Sequence, residues 1–217
     1  MRTTHQFLDK YPISKDSEKL IVGTIHPHNH DNFTIQFFYG NVTSIWNILS
    51  LAFPEDLKRP LTLDGIRNFL KKRKIAVSDT ILVCDRINPT ALDKDLIPIK
   101  LNKKIIDDIK KSNITEIFFT SGFGKNNAFR LFYKDILGLK ITKEIKLNRG
   151  TIVDTKIFGR PIKLTVLFSP SGSSNVGISK SSLYLENKEK YRNSAKPVYD
   201  FKVAYYREKF DSKKQNR

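Results

Sequence analysis

Apolar residues along this chain fall into short runs separated by polar breaks. Residues 20–24, Leu-Ile-Val-Gly-Thr, form an apolar and β-branched run of the length of a buried strand. Residues 80–84 (Thr-Ile-Leu-Val-Cys), 116–120 (Glu-Ile-Phe-Phe-Thr) and 162–168 (Ile-Lys-Leu-Thr-Val-Leu-Phe) repeat the pattern and predict three more strands. Between them the spacing becomes helical. Residues 43–53 place Ile45, Trp46, Ile48, Leu49, Ala52 and Phe53 on one helical face, and Pro54 ends the run. Thr62 is positioned as an N-cap for a helix whose apolar face is Ile66, Phe69 and Leu70, and the basic residues 71–74 suit its carboxyl end. Residues 102–112 and 126–137 predict two further helices, the second closed by Gly138, and residues 200–210 a short terminal one. Residues 145–154 fit neither period cleanly, and residues 91–96 read as a turn.

Strands separated by helices predict an α/β protein: a three-layer sandwich with a central, mostly parallel, four-stranded sheet covered by helices on both faces. The expected organisation is a loosely packed lead-in over residues 1–18, one α/β domain over 19–182, and a basic extension over 183–217 that carries the terminal helix.

Composition narrows the function. At 217 residues the chain is long enough for one full core. It has no apolar run near the roughly 20 residues of a membrane span. The opening residues lack the apolar stretch of a signal peptide, so a cytoplasmic, nucleoid-associated location is expected. The single cysteine, Cys84, excludes a disulfide framework and a four-thiolate metal site. The formal net charge of +17 favours a polyanionic partner, because basic groups release counterions from a phosphate backbone.

Two loops that follow strands could carry chemistry. After the first strand, residues 25–32 contain His26, His28 and His30 in alternation, with Pro27 forcing an extended or turn backbone at His26. Alternating histidines are compatible with a metal-dependent hydrolase, but such a site needs ligands from later strand ends, and only His5, Cys84 and Asp85 remain to supply them. No metal and no cofactor are therefore expected. After the last strand, residues 169–175 (Ser-Pro-Ser-Gly-Ser-Ser-Asn) have the small, hydroxyl-rich composition of a phosphate-cradling turn, without the Lys of a P-loop.

These segments together resemble the uracil-DNA glycosylase superfamily, most closely its mismatch-specific and hypoxanthine-type branches. Gly23-Thr24-Ile25-His26-Pro27 is similar to that family's first motif, and Phe38-Tyr39-Gly40-Asn41-Val42-Thr43-Ser44-Ile45-Trp46 to the aromatic-to-Trp segment after it. Leu167-Phe168-Ser169-Pro170-Ser171-Gly172-Ser173-Ser174-Asn175 is similar to the second motif. The departures lie at polar positions: His26, Thr43 and Ser169 stand where the family often has Asn or Asp, Asn, and His or Asn.

The resemblance implies a uracil-DNA-glycosylase-like fold and a monofunctional, metal-free DNA glycosylase. Such an enzyme flips out a damaged or modified base (uracil, hypoxanthine or a relative), hydrolyses its N-glycosidic bond and leaves an abasic site. It implies His26 and Ser169 as catalytic positions, and Gly23, Ile25, Phe38 and Thr43 as the base pocket, with Phe38 as stacking platform. Ser171 and Gly172 would clamp a phosphate, and Ser173, Ser174 and Asn175 would enter the vacated space. The small residues of this wedge favour single-stranded or mismatched DNA, acted on by a monomer. The competing expectation is a DNA-binding protein on the same fold that has lost catalysis.

Overall fold

The computed structural model describes residues 1–41, 45–88, 90 and 92–211. They form a mixed α/β protein with two compact units: Met1–Phe38 with Leu70–Leu167, and Tyr39–Phe69 with the chain from Phe168 onward.

The first unit holds two sheets. The larger contains β2 (Lys19–Gly23), β3 (Ile75–Asp79), β6 (Glu116–Phe119), β7 (Gly150–Val153) and β8 (Ile162–Val166), in the order β3-β2-β6-β8-β7. It has five strands where the sequence predicts four. Four run parallel, and β7 is an antiparallel edge paired to β8 with Gly150 opposite Thr165. The fifth strand comes from the ambiguous residues 145–154, which split into a helical turn at Lys143–Leu147 and β7. Gly150 permits the pairing: a Cβ there would sit 2.1 Å from the Leu164 carbonyl oxygen.

The apolar run near residue 80 also divides. β3 joins the parallel sheet, whereas β4 (Ile81–Arg86) pairs antiparallel with β1 (Arg2–Thr4) and β5 (Leu96–Leu101) in a second sheet. Thr80 is the break: its N–H and hydroxyl both bond the Gly23 carbonyl. The opening residues, expected as a loose lead-in, therefore supply a paired strand, and Phe7 behind it is buried.

Register explains the main core. Leu20 and Val22 align with Ile117 and Phe119, which align with Leu164 and Val166, so one face of β2, β6 and β8 presents a continuous apolar surface. Ile105, Ile109, Phe129, Phe132 and Phe158 cluster on it. Burying side chains of this size contributes roughly 2–3 kcal/mol each.

In the second unit, the helix Ile45–Ala52 packs against the terminal helix Pro197–Phe210, with Trp46 and Tyr206 fully buried. Phe201, Tyr205 and Phe210 bury the same helix, so the expected basic extension forms part of this unit's core. Tyr206 Oη donates to the Phe168 carbonyl at 2.7 Å.

Candidate functional site

In the larger sheet β2 lies between β3 and β6. The chain leaves β2 for β3 on one side and later enters β6 on the other, which makes β2/β6 a topological switch point. Open parallel sheets bind ligands in the crevice outside the carboxyl ends of the strands at such a point. Thr24 follows β2 there, and Ser121 and Gly122 follow β6.

The carboxyl group of Asp93 is fixed between them. Asp93 opens the 3-10 turn Asp93–Asp95. Its Oδ1 accepts from Thr24 Oγ1 at 2.8 Å. The Asn127 amide, turned so that Oδ1 accepts from Gly122 N at 3.2 Å, donates to Asp93 Oδ2 at 3.3 Å. The Ser121 hydroxyl also bonds this carboxyl and itself accepts from Ala128 N at 2.8 Å. Asn126 Nδ2 holds the turn's backbone through the Asp93 carbonyl at 3.2 Å and the Leu96 carbonyl at 2.5 Å. Burial raises the Asp93 pKa above the ordinary carboxylate value, the Thr24 and Ser121 hydrogen bonds oppose the rise, and the charge of Asp79 adds to it. The residue as a whole is half-buried, and its carboxyl group lies more deeply than that. An anchored carboxyl of raised pKa is equipped to take up or release a proton.

Sequence reasoning passes over this residue. A lone Asp in a short polar turn is what turns use anyway. Only the strand order brings it to Thr24 and Ser121.

His26 lies in the same unit, 4 % exposed, with both ring nitrogens engaged. Nε2 is 3.0 Å from the Gln6 N–H, which can only donate, and Nδ1 is 2.8 Å from the Pro27 carbonyl, which can only accept. The ring is therefore the neutral Nδ1–H tautomer. Burial lowers its pKa to about 4, against the raising effect of the Pro27 bond. Arg86, also buried, donates Nη2 to the His26 carbonyl at 2.7 Å and Nε to Thr3 Oγ1 at 3.1 Å.

His26 belongs to a cluster of rings. His5 is 4.9 Å away, Phe7 5.2 Å and His30 4.6 Å, centroid to centroid. His5 Nε2 donates to Asp79 Oδ2 at 2.8 Å, and its Nδ1 accepts from Phe7 N at 3.0 Å, so His5 ties the opening segment to the end of β3. Burial raises the Asp79 pKa, and the bond from His5 opposes it. His28 turns away towards Thr3 Oγ1, 3.2 Å from its Nδ1. Among the described residues no three His, Cys, Asp or Glu side chains converge as a metal site.

The remaining expected residues of this unit are structural in placement. Gly23 pairs with Asp79 across the sheet. Ile25 packs with Ile81, Cys84, Leu96 and Leu131. Phe38 is 1 % exposed, against Phe7 and Phe37. Thr43 lies outside the described residues.

The residue 169–175 loop belongs to the second unit. The Ser174 Oγ lies 2.7 Å from the carbonyls of both Ser169 and Ser171, which share its one proton, while the Ser171 and Ser173 hydroxyls meet at 2.9 Å. Ser169 Oγ accepts from Ser171 N at 3.3 Å. Gly172 and Ser173 are exposed at the tip, Ser171, Ser174 and Asn175 are half-buried, and the apolar Val176 beside them is 66 % exposed. Asn175 Oδ1 is buried without a partner. Beneath the loop lies Lys202, buried on the terminal helix, whose Nζ donates to the Ser171 carbonyl and to Ser174 Oγ, each at 2.9 Å. Burial lowers its pKa to about 8. The sequence shows Lys202 only as one cation among many in a basic stretch.

No protein-family model matches the chain, and no curated protein matches it. A solved structure similar to it is the solution NMR structure of a Methanosarcina acetivorans protein described as a "putative Uracil DNA glycosylase". The two share 17% identity with a TM-score of 0.47, over 91% of this chain and 96% of that one.

Proposed function

We propose that the protein is a DNA glycosylase that hydrolyses the N-glycosidic bond of a damaged or modified base, with Asp93 as its acid–base residue. The observation that carries this reading is the Asp93 carboxyl, raised in pKa and anchored by Thr24, Ser121 and Asn127 at the β2/β6 switch point. The motif-like segments at residues 23–27 and 167–175 and the +17 charge support DNA as the substrate.

The chemistry asks for such a carboxyl. As the C1′–N bond lengthens, the sugar gains cationic character, which a neighbouring carboxylate stabilises. The carboxylate also orients a water and takes its proton as the water oxygen bonds C1′. The departing base leaves with the bonding electron pair and is then protonated by solvent, while Asp93 returns its proton to bulk water. A raised pKa makes Asp93 a stronger base than an ordinary aspartate. The target nucleotide has to leave the stack first, which is cheapest in single strands and mismatches. Within the second unit, Ser171 and Gly172 are the residues we assign to a DNA phosphate, with Lys202 bracing their loop. His26 acts here as a brace, joining the Gln6 N–H to the turn at Pro27. Uracil and hypoxanthine are the first candidates for the base.

A second reading, a DNA-binding protein without catalysis, is favoured by the engaged ring of His26 and the burial of Phe38. A base-release assay separates the two. Oligonucleotides carrying uracil, hypoxanthine, thymine mismatches or modified cytosines are tested as single strands and duplexes. Release of a free base supports the glycosylase; binding of every substrate with no release supports the second reading.

A further inference from the structure

The first unit contains a cavity of about 410 Å³ that lies apart from Asp93 and His26. Four cations line it: Arg130, Lys134, Lys140 and Lys146. Arg130 and Lys134 lie four residues apart on one continuous helical stretch, and Lys140 and Lys146 follow it in the chain. Arg130 ends the helical turn Ala128–Arg130, Lys134 sits in the π-helical segment Leu131–Ile136, Lys140 follows the left-handed Gly138, and Lys146 lies in Lys143–Leu147. The helix ends at the left-handed Gly138 (φ +72°), after which the chain turns towards Lys140 and Lys146, and π segments are frequent at functional sites. No carboxylate lines the cavity; Asp135 and Glu144, the acids nearest in sequence, are outside it. Among the described residues none of the four cations forms an ion pair. Like charges gathered round one concavity repel each other, and a bound anion relieves that repulsion.

The cavity is tied to the switch point. Phe129 N bonds the Ser121 carbonyl at 3.1 Å and Arg130 N the Gly122 carbonyl at 3.2 Å, so the helix carrying Arg130 is anchored on the loop that holds Asp93. Phe123, in that loop, contributes an aromatic side chain to the wall.

We infer that this cavity binds the phosphodiester backbone of a nucleic-acid strand, at nucleotides flanking the one presented to Asp93. The inference rests on the reading of the protein as one that acts on DNA, and it assigns a separate grip to Arg130, Lys134, Lys140 and Lys146. The cavity, about 410 Å³, is too large for a single phosphate, four cations line it, and the Phe123 ring in its wall suits a strand whose bases are unpaired.

Fluorescence anisotropy with a short labelled single strand, from about 50 to 300 mM salt, tests the inference. The variants are Lys134→Gln/Lys140→Gln/Lys146→Gln and a control of exposed lysines outside the cavity, Lys103→Gln/Lys110→Gln/Lys156→Gln. Each phosphate contact to a single strand contributes about 0.7 to the slope of log affinity against log salt, so the cavity variant should lose about 2 from that slope. Its affinity at about 100 mM salt should fall at least tenfold below the control's. The arginine triple at the same three positions should keep the wild-type slope. Equal slopes and affinities for the cavity and control variants would overturn the inference, as would no binding by the wild type. Binding is read without reference to base release: a cavity-specific slope with no release leaves the inference standing while the glycosylase reading falls. Intact release with equal slopes does the reverse.

Discussion

His26 and Asp93 differ in how their hydrogen bonds leave them placed for chemistry. His26 stands before Pro27 after the first strand, where a catalytic side chain is expected, yet a donor and an acceptor from the backbone occupy its two nitrogens. This neutral brace has a pH signature. Its folded pKa, about 4, lies below the ordinary value of 6.5, so between these pH values the unfolded chain takes up a proton that the folded ring resists. The associated stability is complete above about pH 6.5 and is lost as pH falls towards 4, by about 3 kcal/mol in all. In His26→Gln the amide oxygen can still accept from Gln6, but nothing titrates. Denaturant unfolding should therefore show wild type more stable at pH 7 and the gap narrowing by pH 4.5; a gap independent of pH would refute the brace. The sequence places His26 at the end of a strand but is silent on its partners. Gln6 is twenty positions away and reaches it only because β1 pairs with β4. Asp93 is hidden by the opposite effect, since its residue type is ordinary for a turn and its neighbours Thr24 and Ser121 are distant in sequence.

At the scale of elements, period and punctuation carry far. The runs at residues 20–24, 116–120 and 162–168 hold the strands Lys19–Gly23, Glu116–Phe119 and Ile162–Val166 within a residue or two at their ends, and Thr62 caps its helix through a 3.0 Å bond from Gly65 N to its hydroxyl. The run near residue 80 is less legible, because continuous apolar character cannot mark the point where a chain passes from one sheet to another. Thr80 does that with two bonds to one carbonyl. β7 is obscured because an edge strand with one exposed face has a weak apolar pattern; Ile152 is 66 % exposed. Its dependence on Gly150 is testable. A methyl group 2.1 Å from the Leu164 carbonyl oxygen forces the β7–β8 pair apart, so Gly150→Ala should cost about 2 kcal/mol or more in denaturant unfolding. An unchanged midpoint would mean that β7 is not held in this register.

Across the whole molecule, two properties bear on function. The positive charge is visible in composition and directs attention to a polyanion, but it cannot say where the polyanion lies. The switch point is invisible in composition and in any single segment, because it exists only once the order β3-β2-β6-β8-β7 is known. The second unit is equally non-local, joining Tyr39–Phe69 to a terminal segment about a hundred residues later in the chain. The motif-like segments at residues 23–27 and 167–175 are readable from the sequence; what surrounds them, the Asp93 anchor and the Lys202 brace, follows from tertiary structure. The proposed glycosylase depends above all on the anchored carboxyl of Asp93. The most direct test is single-turnover base release by Asp93→Asn beside wild type, with DNA affinity measured on the same preparations. The rate should fall by about 100-fold or more while affinity changes less than about twofold; release at the wild-type rate would contradict an acid–base role for Asp93.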